Sequence, residues 1–241
     1  MYWSAPTENF GITSLPTNNR FEWNTLFANT NGTFGNWVAP STATMTKGRG
    51  YIARASNGAS TPTALNTPFV GKPNNGQFTY PIYRGNYTGP DYDADLTNPN
   101  NVFTTALDDN WNLVGNPYPS AIDAEEFLVQ NQASIEGAVW VWKHGLDPTS
   151  SVNPFYANFI YNYSSSDYIK YNGLGSTEPD TFAGKIASGQ GFMINMKDAA
   201  VSGTTIAFTN DMRSGISNAV YNNADFFKNS ATAVGATLEE K

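Results

Sequence analysis

Apolar and polar residues alternate at every second position through much of this chain. Period-2 alternation or β-rich runs bounded by Gly, Pro or Asn predict strands near 34–39, 50–55, 77–83, 111–115, 138–143, 167–171, 190–196 and 204–209. One stretch departs from that period: "WNLVGNPYPSAIDAEEFL", from Trp111 to Leu128. Neither Pro117 nor Pro119 can donate to a sheet ladder, so its strand must end near Gly115. A short helix over 123–131 should follow, capped by Asp123, with Glu126 at N3 and Ile122 and Phe127 at the staple positions. The prolines read as a corner, with Asn116 and Tyr118 as the residues of that loop able to contact a ligand.

The landmarks recur in order. "MTKGRGYIARA" (Met45 to Ala55) is echoed by "KIASGQGFMINM" (Lys185 to Met196), each with Gly-x-Gly before an aromatic-led strand. "YWSAP" parallels "NLVGNPYP" upstream, and "FVGKPNNG" parallels "FTNDMRSG" downstream. Two related units, about 1–85 and 111–215, are expected to bury their faces against each other in one domain over 1–225. An acidic loop over 89–101 separates them, a Tyr-rich insertion over 146–176 enlarges the second, and 226–241 reads as a tail or linker. The expected fold class is all-β, a β-sandwich or jelly-roll-like arrangement of two pseudo-repeated units with one short helix.

Composition narrows the function more than the fold. Lys plus Arg number 13 against 20 Asp plus Glu in 241 residues, a formal charge of −7. An acidic surface repels phosphate backbones and anionic membranes, so neither nucleic-acid binding nor polybasic membrane adhesion is expected. No apolar run approaches a membrane span. With no cysteine, thiol chemistry and disulfide stapling are excluded. Low charge density with abundant Asn and Thr suits an extracellular setting. "MYWSAPTENF" does not read as a secretion signal, and its Met reads as a start placed on part of a longer chain.

Candidate chemistry is sparse. His144 is the single histidine, which rules out a multi-His metal site within one chain. Ser188 lies in "IASGQG", where Ile186 stands in place of the glycine that a nucleophile elbow requires. The Gly-x-Gly pairs lack a third glycine and lead into strands, so they read as turns rather than phosphate cradles. The close carboxylate pairs, Asp108/Asp109 and Glu125/Glu126, sit in a turn and in a helix first turn. In "GPDYDADLTNPNN", Asp91, Asp93 and Asp95 alternate as hard oxygen ligands, either an irregular Ca²⁺ site or a solvated acidic loop. Trp140 and Trp142 share one face of a strand whose other face holds Val139 and Val141. They are core anchors if they face in, or a platform for sugar rings if the valines do. Tyr156, Tyr161, Tyr163, Tyr168 and Tyr171, in the Tyr-rich insertion, form a second candidate platform or a hairpin packed over the sheet.

Taken together, "YWSAP", "MTKGRGYIARA", "FVGKPNNG", "WNLVGNPYPSAIDAEEFL", "KIASGQGFMINM", "FTNDMRSG" and the later "FFK" resemble a late-chain module of large cell-surface proteins of Bacteroidetes. That resemblance runs from Tyr2 to Lys228 and implies an adhesin-like protein exported by type IX secretion. It assigns no catalytic residue.

The expectation is therefore a non-catalytic extracellular module acting in adhesion, with a glycan or other extracellular surface and the neighbouring domains of a longer chain as partners. No cofactor is expected beyond the candidate Ca²⁺. A structural spacer without a ligand is the alternative, and a polysaccharide-active hydrolase or lyase the third.

Overall fold

The computed structural model describes residues 2–15, 19–54, 67–89, 106–143, 167–178 and 182–213. The first half lays down a four-stranded antiparallel sheet from β1 (Tyr2–Trp3), β2 (Asn19–Asn24), β5 (Asn36–Val38) and β6 (Tyr51–Arg54). A small pair, β3 (Ala28–Asn29) and β4 (Gly32–Thr33), lies between β2 and β5 in sequence. After β7 (Phe78–Pro81), the second half builds its own four-stranded sheet from β8 (Trp111–Gly115), β10 (Val139–Trp142), β11 (Tyr168–Tyr171) and β13 (Gly191–Asn195). Two further pairs complete the all-β fold: β9 (Ile122–Asp123) with β12 (Lys185–Ile186), and β7 with β14 (Thr205–Phe208).

The two large sheets have the same connectivity. Their orders, β1-β6-β2-β5 and β8-β13-β10-β11, both place the first strand beside the fourth and the second beside the third. The registers agree residue by residue. Trp3 pairs with Tyr51 as Val114 pairs with Phe192, and Phe21 pairs with Ile52 as Trp140 pairs with Met193. Trp23 opposite Trp37 then corresponds to Trp142 opposite Tyr168.

Contacts between the halves are reciprocal, as a two-fold relation demands. Ser4 N–H donates to the Gly189 carbonyl at 2.7 Å, and Gly115 N–H donates to the Gly48 carbonyl at 3.0 Å. Trp3 bridges Gln190 while Val114 bridges Arg49. A Cβ on Gly48 would meet Phe208 at 3.2 Å, and one on Gly189 would meet Phe69 at 3.2 Å. Both glycines have positive φ, +79° and +66°, so these turns need glycine for conformation as well as for space.

Three apolar clusters alternate with the two sheets. Tyr2, Trp23, Trp37, Ile52, Leu113 and Met193, flanked by Phe21, Trp111, Trp140, Trp142 and Tyr168, fill the space between them. The outer face of the first sheet packs Tyr51 and Ala53 against Phe10, Ile12, Leu15 and Met45. The outer face of the second packs Val139, Val141, Phe192 and Ile194 against α1 (Ala124–Gln130) and the β7–β14 pair. Both large sheets are thus covered on both faces, and every residue of β13 is buried.

The corner after β8 behaves as its prolines dictate. The strand stops at Gly115, and α1 begins after Asp123, whose Oδ1 accepts from Glu125 N–H at 2.8 Å and Glu126 N–H at 3.4 Å. Among the described residues no helix is long and apolar enough to cross a membrane.

Candidate functional site

Where the sheets meet beside β7, a cleft of about 270 Å³ opens, lined by Trp23, Asn24, Thr25, Leu26, Arg49, Tyr80, Tyr83, Asn112 and Leu113. Four segments supply it. β2 runs out of the first sheet through Asn24 into an exposed turn at Leu26; Arg49 sits inside the first Gly-x-Gly turn; Tyr80 lies in β7 with Tyr83 just beyond it; and Asn112 and Leu113 belong to β8.

The floor is fastened to β8. Trp23 Nε1–H and the Thr25 hydroxyl both donate to the Trp111 carbonyl, at 2.9 and 2.7 Å. Asn112 clamps the opposite wall, donating from Nδ2 to the Tyr83 carbonyl at 2.8 Å and accepting the Tyr83 N–H on Oδ1 at 2.9 Å. Asn24 Oδ1 is taken by the Leu26 N–H at 3.0 Å.

Charge enters through one pair. Arg49 Nη2 lies 3.0 Å from Oε1 of Glu22, whose side chain is 4% exposed against 18% for Arg49. Glu22 Oε2 is buried with no hydrogen-bond partner, so the carboxylate grips the guanidinium through one oxygen. Burial pushes the Tyr80 phenol up to about 12, against the opposing effect of Arg49. Tyr80 therefore keeps its proton at neutral pH and remains a donor. Among the described residues, neither tyrosine hydroxyl nor the rest of the Arg49 fork meets a protein acceptor.

The residues singled out in the sequence lie elsewhere. Trp140, Trp142 and Tyr168 are half-buried members of the inter-sheet cluster; Tyr2 packs against Trp142 in a tilted arrangement, 6.2 Å between ring centres, and its hydroxyl bonds that of Tyr168. The valines of β10 pack into one cluster and the tryptophans into the other, so Trp140 and Trp142 sit as core anchors, with both faces of the strand covered. Asn116 and Tyr118 are fully buried, so the corner loop offers a ligand neither side chain. Asn116 Nδ2 is held by the carbonyls of Ser120 and Ala187 at 2.8 Å, and its Oδ1 accepts the Tyr118 N–H at 2.9 Å. The Tyr118 hydroxyl donates to the Gly76 carbonyl at 2.7 Å. Ser188 donates from its hydroxyl to the Tyr118 carbonyl at 3.1 Å.

Tyr156, Tyr161, Tyr163, His144 and the calcium candidates Asp91, Asp93 and Asp95 lie outside the described residues. Among the described ones no three His, Cys, Asp or Glu cluster as a metal site.

Sequence reasoning passed over Glu22, Arg49, Tyr80 and Tyr83. A signal was available: at the repeated Gly-x-Gly turn the first half has Arg49 where the second has Gln190. Comparison with curated proteins and with solved structures finds no match. One family model does match, over residues 1–241, and by that match the chain belongs to a family described as a domain of unknown function, DUF8693.

Proposed function

We propose that this chain is a non-catalytic, extracellular module of a larger cell-surface protein, and that it works in adhesion by holding a saccharide. The cleft carries this reading. Phenol rings at Tyr80 and Tyr83 and the Leu26 side chain give apolar area for a sugar face, while Arg49, Asn24 and the phenol hydroxyls give directed donors around it. Its volume, at the small end for ligand pockets, suits one sugar ring at the end or side of a polymer. The two-fold packing of the sheets supports the same role, because a cleft built at a seam between covered sheets keeps its shape without a ligand.

A glycan array probed with the protein, with and without Ca²⁺, tests the proposal. Binding to a defined subset of glycans is expected, and Tyr83→Ala should weaken it without unfolding the protein. A blank array leaves the chain as a spacer that presents its neighbours. Release of reducing sugar from any arrayed polysaccharide would make it an enzyme.

A further inference from the structure

The internal repeat supplies its own control for what the cleft needs. By register, Glu22 corresponds to Val141, and Arg49 to Gln190. Val141 is buried in an apolar cluster, so the fold closes this position with an aliphatic side chain and a neutral amide. The first half instead buries a carboxylate and pairs it with an arginine. Buried ion pairs contribute little to stability relative to well-packed apolar side chains, so folding alone does not account for this one.

The hydrogen-bonding inventory of the cleft is lopsided. Its side-chain amide oxygens are engaged: Asn24 Oδ1 by Leu26 N–H, and Asn112 Oδ1 by Tyr83 N–H and the Thr25 hydroxyl. What remains is the Arg49 fork beyond Nη2, the Asn24 amide nitrogen and two phenol hydroxyls. Glu22 does not line the cleft; it holds the guanidinium through a single oxygen. A neutral sugar would leave the cationic fork facing hydroxyls. A carboxylate matches it, since guanidinium and carboxylate meet through paired N–H···O bonds.

We propose that the cleft selects a saccharide unit bearing a ring carboxylate, a uronate, with Arg49 binding the carboxylate and Tyr80 and Tyr83 contacting the ring. This rests on the glycan reading above. Glu22 is a positioning residue: it fixes the guanidinium so that its free edge faces the cleft.

Titration of the protein with the methyl glycosides of glucuronate and galacturonate, against those of glucose and galactose, tests it by NMR. Within each pair only the carboxylate differs. The expected result is shifts at the Trp23 indole and at least tenfold tighter binding of one uronide than of its neutral partner. The double variant Glu22→Val/Arg49→Gln installs the pair the second half already uses, and should keep the melting temperature while losing the preference. Arg49→Lys keeps Glu22 paired and should lose at least fivefold in uronide affinity. Equal affinity for uronide and neutral sugar overturns the carboxylate assignment and leaves the glycan reading standing. Uronide binding that survives both variants overturns the assignment to Arg49. Failure of all four sugars together with a blank array overturns both readings.

Discussion

Ser4 and Gly115 occupy equivalent places in the two halves, and they touch. A Cβ built on Gly115 would lie 2.4 Å from Ser4 Cβ and 2.7 Å from its Oγ. Two equivalent residues can meet only near the axis that relates them, so the pseudo-dyad passes between β1 and β8. One side must be glycine because the first strands of the two sheets approach too closely for two side chains. Gly115→Ala should therefore destabilise the protein by about 1–3 kcal/mol through overpacking. Adding Ser4→Gly should return at least half of that loss, because the side chain simply changes sides. Denaturant midpoints of the two single variants and the double variant measure it, and strictly additive losses would remove the axis from this spot.

Asn116 offers the second test. Its buried amide ties the loop after β8 to the turn before β13, through Ser120 and Ala187. Asn116→Ala strands those carbonyls and the Tyr118 N–H away from water, which costs about 1–3 kcal/mol. The loss should appear as a lower urea midpoint with unchanged slope. A variant as stable as the parent would mean that water replaces the amide.

Much of the architecture was legible because strand patterning and turn chemistry are local. All eight expected strands form, within one or two residues of their expected ends, and Asp123 caps the expected helix. The strands passed over are those whose patterns mislead. β2, "NRFEWN", puts Arg20, Glu22 and Asn24 on one face and reads as surface, yet Glu22 is buried by pairing with an arginine 27 positions later in sequence. β1, β9 and β12 are two-residue strands, below the length at which alternation is visible. The cleft was illegible for a related reason. Arg49, Tyr83 and Trp23 converge through the pairing of β2 with β6 and through bonds to Trp111 and Asn112 of β8, which no local window contains. Which face of β10 is core could not be decided locally, because the cluster that covers the tryptophans comes from the other sheet.

Asp109 makes stability depend on pH. Burial raises its carboxyl above the ordinary value of 3.8, and the Tyr87 N–H and Arg84 oppose that only in part. A carboxyl raised in the folded state binds its proton more tightly there than in the unfolded chain. Its contribution favours the fold below the unfolded value and is lost as pH rises through the folded one. Asp109→Asn removes this slope. Stability of the parent relative to Asp109→Asn should then fall from about pH 4 upward and level off once the carboxyl has ionised. Denaturation midpoints across that range check it; a difference moving in favour of the parent would reverse the assignment.

The Asp91, Asp93 and Asp95 loop predicts a calcium response. If the three carboxylates hold Ca²⁺, millimolar Ca²⁺ added to metal-stripped protein should raise the melting temperature by mass action, and Asp93→Ala should abolish the rise. Mg²⁺ at the same concentration should do much less, because it demands near-ideal octahedral geometry and gives up its waters reluctantly. An unchanged melting curve would mark the loop as solvated.

Trp142 decides what the aromatic residues are for. Its ring lies between the sheets beside Tyr2, while its neighbour Val141 packs into the cluster on the opposite face. Truncation to alanine leaves a void that neither sheet can close, since each is held from behind by its own cluster. Trp142→Ala should cost about 3–5 kcal/mol, and Trp23→Ala, its counterpart in the first half, a similar amount. Trp142→Phe should cost less, because a smaller ring keeps part of the contact with Tyr2. If these aromatics were instead a sugar platform, both alanine variants would keep their stability and lose only binding. Urea denaturation set beside the glycan array separates the two outcomes. A stable Trp142→Ala variant with impaired binding would move the binding surface from the cleft to the face of β10.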